Sequence, residues 1–260
     1  MIKRIAMLSI HGYFDPVPQL GQTDTGGQVT YVLALARALA QPGIQVDIYT
    51  RWFDRSREPI AGVPDAGGVR VIRIAAGPWE FIPKEQIYPV LPELARNMME
   101  FIRENGLSYD LFHGHYVDGG MVALDAARAL GKPVFFTPHS LGAWKREQMG
   151  LDPQVMEKQF NFSRRIAEET RVLESAEAHT VTSQVQMEKL RQLYGYGRQN
   201  VAVIECGSDV HRYRPLDPGE SEVPITRLPE KYVLCLSRID SNKGHDHLLA
   251  AFDWVRKAAP

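Results

Sequence analysis

Short apolar runs at residues 5–8, 46–49, 69–74, 111–113, 134–137, 179–182 and 201–204 alternate with segments of helical spacing, and this alternation constrains the fold more than any other feature of the chain. A strand that is followed by a helix returns to the sheet parallel to its predecessor, with helices covering both faces. Amphipathic helices are predicted at 28–39, 91–104, 119–130, in one long stretch from about 153 to 175, and at 186–193. Crossovers of this kind are right-handed. The expected class is therefore α/β, a Rossmann-like doubly wound parallel sheet.

The 260 residues, 44% hydrophobic and 23% charged, suffice for one full core and the start of another. The 30 Lys+Arg and 31 Asp+Glu leave a formal charge of -1, which argues against a nucleic-acid or membrane-surface role carried by bulk charge. Any anion must be bound locally. Residues 1–10 mimic a signal peptide, but the apolar run is short and breaks at His11-Gly12, so it reads as the first strand. Cys206 and Cys235 have no metal-ligand spacing and adjoin apolar runs, which fits a reducing cytoplasm and leaves a disulfide between them open. From 206 to 230 the composition turns to Gly, Pro and charge, as in an interdomain linker. A buried-type strand at 232–236 and a helix at 245–257 follow. One strand and one helix cannot cover a sheet. The expected division is a Rossmann-like domain at 1–205, a linker at 206–230, and at 231–260 the first βα unit of a second Rossmann-like domain, the chain being the N-terminal piece of a longer protein. Val233, Leu234 and Leu236 would then form an uncovered strand edge prone to self-association.

Ligands of open α/β sheets bind beyond the carboxyl ends of the strands. One such end carries Thr137-Pro138-His139-Ser140-Leu141-Gly142, with Lys145 three residues on: a histidine, a hydroxyl, a glycine and an ammonium in one turn. The alternative is a plain helix-capping turn, with Ser140 as cap and Gly142 as bend. After the first strand, Asp24-Thr25-Gly26-Gly27-Gln28 enters a helix whose N-terminus suits a phosphate. No Gly-x-Gly-x-x-Gly or P-loop pattern is present, which argues against NAD enzymes and P-loop NTPases. His113 and His115 lack a carboxylate or thiol partner nearby, so hydrogen bonding or a structural role outweighs metal binding. Lys84, Lys145 and one of Arg164 and Arg165, if they converge, would clamp a sugar phosphate. On a long helix the two arginines also fit a solvated face.

Taken in order, Thr25-Gly26-Gly27-Gln28, Phe81-Ile82-Pro83-Lys84-Glu85, His115-Tyr116, the 137–142 turn with Lys145, and Phe160-Asn161-Phe162-Ser163-Arg164-Arg165-Ile166 resemble the retaining GT-B glycosyltransferases of the sucrose-phosphate synthase and mannosylfructose-phosphate synthase family, glycosyltransferase family 4. Ala143-Trp144-Lys145 is most like the mannosylfructose branch. The resemblance implies an acceptor-side GT-B domain of a hexosyltransferase, with a nucleotide sugar (GDP-mannose, or UDP-glucose in the sucrose-phosphate synthase alternative) and fructose 6-phosphate as substrates and no cofactor or metal. It also implies roles. Gly26, Gly27, Arg238 and Lys243 would hold the donor diphosphate, with His139, Arg238 and Lys243 catalytic. Gln28, Lys84, Tyr116, Ser140, Lys145 and Arg164 or Arg165 would hold the acceptor. Ile204-Glu205-Cys206-Gly207 departs from the family's Ile-Pro-Pro-Gly, and the family's Glu-x₇-Glu segment, which the resemblance places in the second domain, is missing from residues 231–260, which hold no glutamate. The chain alone is therefore expected to show no hexosyl transfer, and a catalytically inactive sugar-phosphate-binding fragment is the alternative outside enzymology.

Overall fold

The structure, a computed structural model, describes residues 2–19, 26–210, 213–217, 231–237, 239 and 243–258. Its contacts divide the chain into two units, Met1–Gly207 and Ser208–Pro260.

The first unit is an eight-stranded sheet in the order β3-β4-β2-β1-β5-β6-β7-β8. The strands are β1 (Arg4–Leu8), β2 (Gln45–Trp52), β3 (Ile60–Gly62), β4 (Val69–Ala75), β5 (Leu111–His115), β6 (Val134–Thr137), β7 (Ala178–Val181) and β8 (Val201–Val203). All seven strands anticipated from the apolar runs form, and they pair in parallel. The addition is β3, three residues antiparallel to the edge of β4, too short and too little buried to leave an apolar signature. Two apolar clusters flank the sheet, one centred on Leu8, Phe112 and Phe136, the other on Met7, Val32 and Ile48.

The helices are α1 (Gly27–Ala40), α2 (Leu91–Glu104), α3 (Tyr116–Leu130), α4 (Gly142–Met149), α5 (Pro153–Phe160), α6 (Phe162–Ser175) and α7 (Gln184–Tyr194), with α8 (His245–Ala258) in the second unit. Two departures from the periodicity matter for the site. The predicted long helix is broken at Asn161, which sits at φ 49 between α5 and α6, a left-handed conformation that asparagine tolerates better than most residues. Residues 142–149, for which no helix was predicted, form the helix α4.

Helix α3 lies unusually close to the sheet. A Cβ added at Gly119 would stand 2.3 Å from the Leu8 carbonyl oxygen, and one at Gly114 2.6 Å from the Gly120 Cα. Backbone sits opposite backbone here, so neither side can yield. Gly119→Ala is expected to cost about 2–3 kcal/mol, read as a lower urea midpoint at unchanged slope, and a loss under about 0.5 kcal/mol would contradict this packing.

In the second unit no strand forms at 232–236. Val233, Leu234 and Leu236 are 62%, 72% and 90% exposed, so the expected buried strand, and the strand edge inferred from it, are corrected. An isolated strand has no partner for its backbone groups, and none is present among the described residues of this unit. Of the anticipated βα unit only the helix, α8, is formed. Cys206 and Cys235 are both free and exposed.

Candidate functional site

The carboxyl ends of β1, β5, β6 and β7 lie side by side, and the loops leaving them carry most of the residues singled out above. On β5, His113 and His115 share one face by strand alternation, 7% and 0% exposed, their rings 4.1 Å apart. His113 Nε2 bonds the Thr137 hydroxyl at 2.8 Å, which bonds that of Thr180 at 2.5 Å. His115 Nδ1 lies 2.9 Å from His139 Nε2. Tyr31, one turn beyond Gln28 on α1, packs edge-on against His139 with centroids 4.9 Å apart. Both strand histidines are therefore engaged, His113 with a hydroxyl and His115 with a third imidazole. Burial drives all three pKa values down, to about 4 for His113, to about 3 for His139 and well below the usual value for His115, so the cluster is uncharged at neutral pH.

His139 occupies a strained turn, with φ 57 and a Ser140 N–H that donates back to the Pro138 carbonyl at 2.6 Å. A non-glycine residue in this conformation persists only where its surroundings hold it, and such residues cluster at functional sites. The hold is provided from α6. Arg165, 4% exposed, donates from Nη2 to the Ser140 carbonyl (2.9 Å) and hydroxyl (3.1 Å), and from Nε to Glu169 (2.8 Å). Glu169 Oε2 accepts the Gly142 N–H at 2.8 Å and the Tyr194 hydroxyl. The first amide of α4 is therefore capped by a carboxylate from another helix and not by Ser140, as the capping-turn alternative required. Burial opposes the Arg165 charge, and Glu169 more than restores it.

Of the arginine pair, then, Arg165 is committed to the 138–142 turn. Arg164 is the exposed member, its side chain 53% accessible, paired with Glu168 at 2.8 Å and 5.8 Å above the Tyr88 ring. The break at Asn161 turns this corner toward two other segments. Asn161 donates to the Glu85 carbonyl at 3.2 Å, next to Lys84, and Lys145 Nζ lies 5.0 Å above the Phe160 ring. Lys84 itself is 3.5 Å from Glu85. The loop that leads to it is fastened by buried Arg51, which donates to the carbonyls of Ala76 and Glu80 at 2.8 Å each and to that of Pro78. Three cation-bearing segments thus meet at the corner of α5 and α6.

Tyr116, at φ 63 and 6% exposed, lies between His11 and Arg165, with ring and guanidinium 4.7 Å from it in each case. Gln28 donates to the Ser9 hydroxyl at 3.0 Å. Gly27 opens α1 and Gly26 is its N-cap, with no side-chain cap, and a Cβ at either would meet no described atom within 4 Å. Lys243 lies in the second unit, and Arg238 falls outside the described residues.

Residues 25–212 match the protein family described as Glycosyltransferase Family 4. The chain belongs to glycosyltransferase family 4. It is 39% identical over 263 residues to mannosylfructose-phosphate synthase of Agrobacterium fabrum, covering 99% of this chain and 57% of that relative. It is 34% identical over 253 residues to D-inositol 3-phosphate glycosyltransferase of Corynebacterium glutamicum, covering 95% of this chain and 58% of the relative. Among solved structures, sucrose-phosphate synthase from Thermosynechococcus elongatus superposes with a TM-score of 0.71 at 29% identity, over 82% of this chain and 50% of the other. The chain thus spans a little under three fifths of these curated relatives, and its sheet is the N-terminal part of the GT-B fold.

Within this family 4 domain, reading the sequence assigned no role to His11, Asp118, Glu169 and Tyr194. His11 Nδ1 is 2.7 Å from the buried Asp118 carboxylate. Glu169 had one signal, its i,i+4 spacing from Arg165, but such pairs are ordinarily solvated. No described helix is long and apolar enough to cross a membrane.

Proposed function

We propose that the chain is the acceptor-binding part of a retaining hexosyltransferase that moves a hexose from a nucleotide sugar to fructose 6-phosphate. The observation that carries this reading is the convergence of the Lys84, Lys145 and Arg164 segments on one corner of a family 4 domain. All three relatives described above have a phosphate ester in their names, in keeping with a cationic acceptor pocket. Lys84, Lys145 and Arg164 take the acceptor phosphate, Tyr116, Ser140 and Gln28 the sugar, and Arg165 holds the turn that carries Ser140. His139 hydrogen-bonds the transferred hexose. The donor diphosphate lies against Gly26 and Gly27 at the start of α1, with Arg238 and Lys243 neutralising the charge that develops as it departs. A leaving phosphate oxygen takes the proton of the attacking hydroxyl, and neither a metal nor a protein nucleophile is required. Residues 231–260 begin the nucleotide-sugar-binding domain. Likeness to the mannosylfructose branch, at 39% identity, favours GDP-mannose; the sucrose-phosphate synthase neighbour makes UDP-glucose the competing donor.

Because the acceptor residues lie within this chain, calorimetric titration with fructose 6-phosphate tests the reading. Saturable binding is expected, with free fructose far weaker. Lys145→Ala should weaken it about tenfold to a hundredfold, the loss of a charge-assisted contact of roughly 1.5–3 kcal/mol. An unchanged affinity, or equal binding of fructose, would remove Lys145 from the phosphate site. In protein carrying both domains, transfer from GDP-mannose should exceed transfer from UDP-glucose; the reverse order selects the sucrose-phosphate type, and transfer from neither sinks the enzymatic reading.

A further inference from the structure

The three-histidine cluster contains an unbalanced hydrogen-bond count. His115 is 0% exposed, its Nδ1 meets His139 Nε2 at 2.9 Å, and its Nε2 is buried with no partner among the described residues. Of the two nitrogens that face each other, one must donate and the other accept. If His139 supplied the proton, the neutral His115 would have to carry its own proton on Nε2, leaving a buried N–H without an acceptor. If His115 supplies it from Nδ1, the buried Nε2 is a bare lone pair. Buried N–H groups without acceptors are much rarer in proteins than under-used acceptors, because the stripped donor forfeits a strong bond to water.

We infer that His115 is a positioning residue that fixes the tautomer of His139, so that His139 accepts through Nε2 and carries its proton on Nδ1. That second nitrogen is bonded to no described residue, and His139, unlike His115, is only half-buried, at the carboxyl end of β6. The nitrogen that His139 leaves for a ligand is therefore an obligate donor, matched to an oxygen that accepts: a sugar hydroxyl, ring or bridging oxygen. The same assignment denies His139 the role of general base, since its only lone pair is occupied by His115. The remaining groups near the imidazole agree. Tyr31 meets it edge-on, His113 is neutral and bonded to Thr137, and His11 is held to Asp118. None of them offers His139 a carboxylate that would favour a second proton. The identity of the accepting oxygen rests on the proposed function; the tautomer does not.

Long-range proton–nitrogen NMR of the chain labelled with ¹⁵N-histidine decides the matter without an activity assay. The expected spectrum shows His139 protonated at Nδ1 and bare at Nε2, and His115 protonated at Nδ1, with the other forms below about one tenth and no change between about pH 8 and 6. His115→Asn, whose side-chain amide can replace the Nδ1–H donor, should preserve the His139 tautomer, and His115→Leu should convert it to a mixture. A His139 proton on Nε2, an even mixture in the unaltered chain, or an unaltered tautomer in His115→Leu would overturn the assignment. If both variants fail to fold, the spectrum of the unaltered chain still decides between the two tautomers. Failure to bind sugar ligands would count against the proposed function and leave the tautomers where they are.

Discussion

Lowering the pH from about 7 to 5 should destabilise the first unit by several kcal/mol. Burial pushes His113 and His179 down to about 4, against about 6.5 in an unfolded chain. The unfolded state therefore binds protons first as pH falls. Stability is complete above about pH 6.5, declines through the interval below it, and the loss levels off near about pH 4. At about pH 5 each of these two histidines contributes a loss of about 2 kcal/mol, and His115 and His139 act in the same direction. Against a typical domain stability of about 5–15 kcal/mol, this places the acid transition near about pH 5. Urea denaturation at about pH 7.5, 6 and 5 should show the midpoint falling at constant slope. A flat profile would mean that the imidazoles are hydrated.

Glu169→Ala should be nearly as damaging, at about 3–5 kcal/mol, because it leaves the Arg165 charge buried without its partner and removes the acceptor for Gly142 N–H and the Tyr194 hydroxyl. Under the proposed function, the effect reaches the acceptor through Ser140. With Arg165 no longer oriented, the positive φ of His139 loses its support, and loss of fructose 6-phosphate affinity is expected at temperatures where the variant is still folded. Replacing both partners by apolar residues, Arg165→Met with Glu169→Leu, should recover part of the stability but none of the ligand affinity, since an apolar pair fills the space without holding the turn. A loss under about 1 kcal/mol for Glu169→Ala would show that the network contributes little, and full affinity in the double variant would show that the turn supports itself.

The parallel sheet was legible in the sequence because its strands are buried on both faces and therefore read as continuous apolar runs, while their helices repeat with a different period. The position of the turn that carries His139, Ser140 and Lys145 was legible too, since it follows the strand β6 directly. Linear order carries this kind of information without distortion. The sequence could not reveal which member of a pair faces which way. Arg164 and Arg165 are adjacent and chemically identical, and about 100° of helical rotation sends one to solvent and the other into the core. Nor could it show that a single left-handed residue, Asn161, ends one helix and starts another, because the amphipathic period runs almost unbroken across it. The His115–His139 bond, the Glu169 cap on α4 and the corner that gathers Lys84, Lys145 and Arg164 join residues 24, 27 and 76 positions apart, or segments still less connected in sequence. Sequence by itself determined the layers of this protein and the loops in which a ligand can sit. Only the tertiary structure decided which side chains can turn to that ligand, because a charged group's availability depends on what the fold has already placed against it.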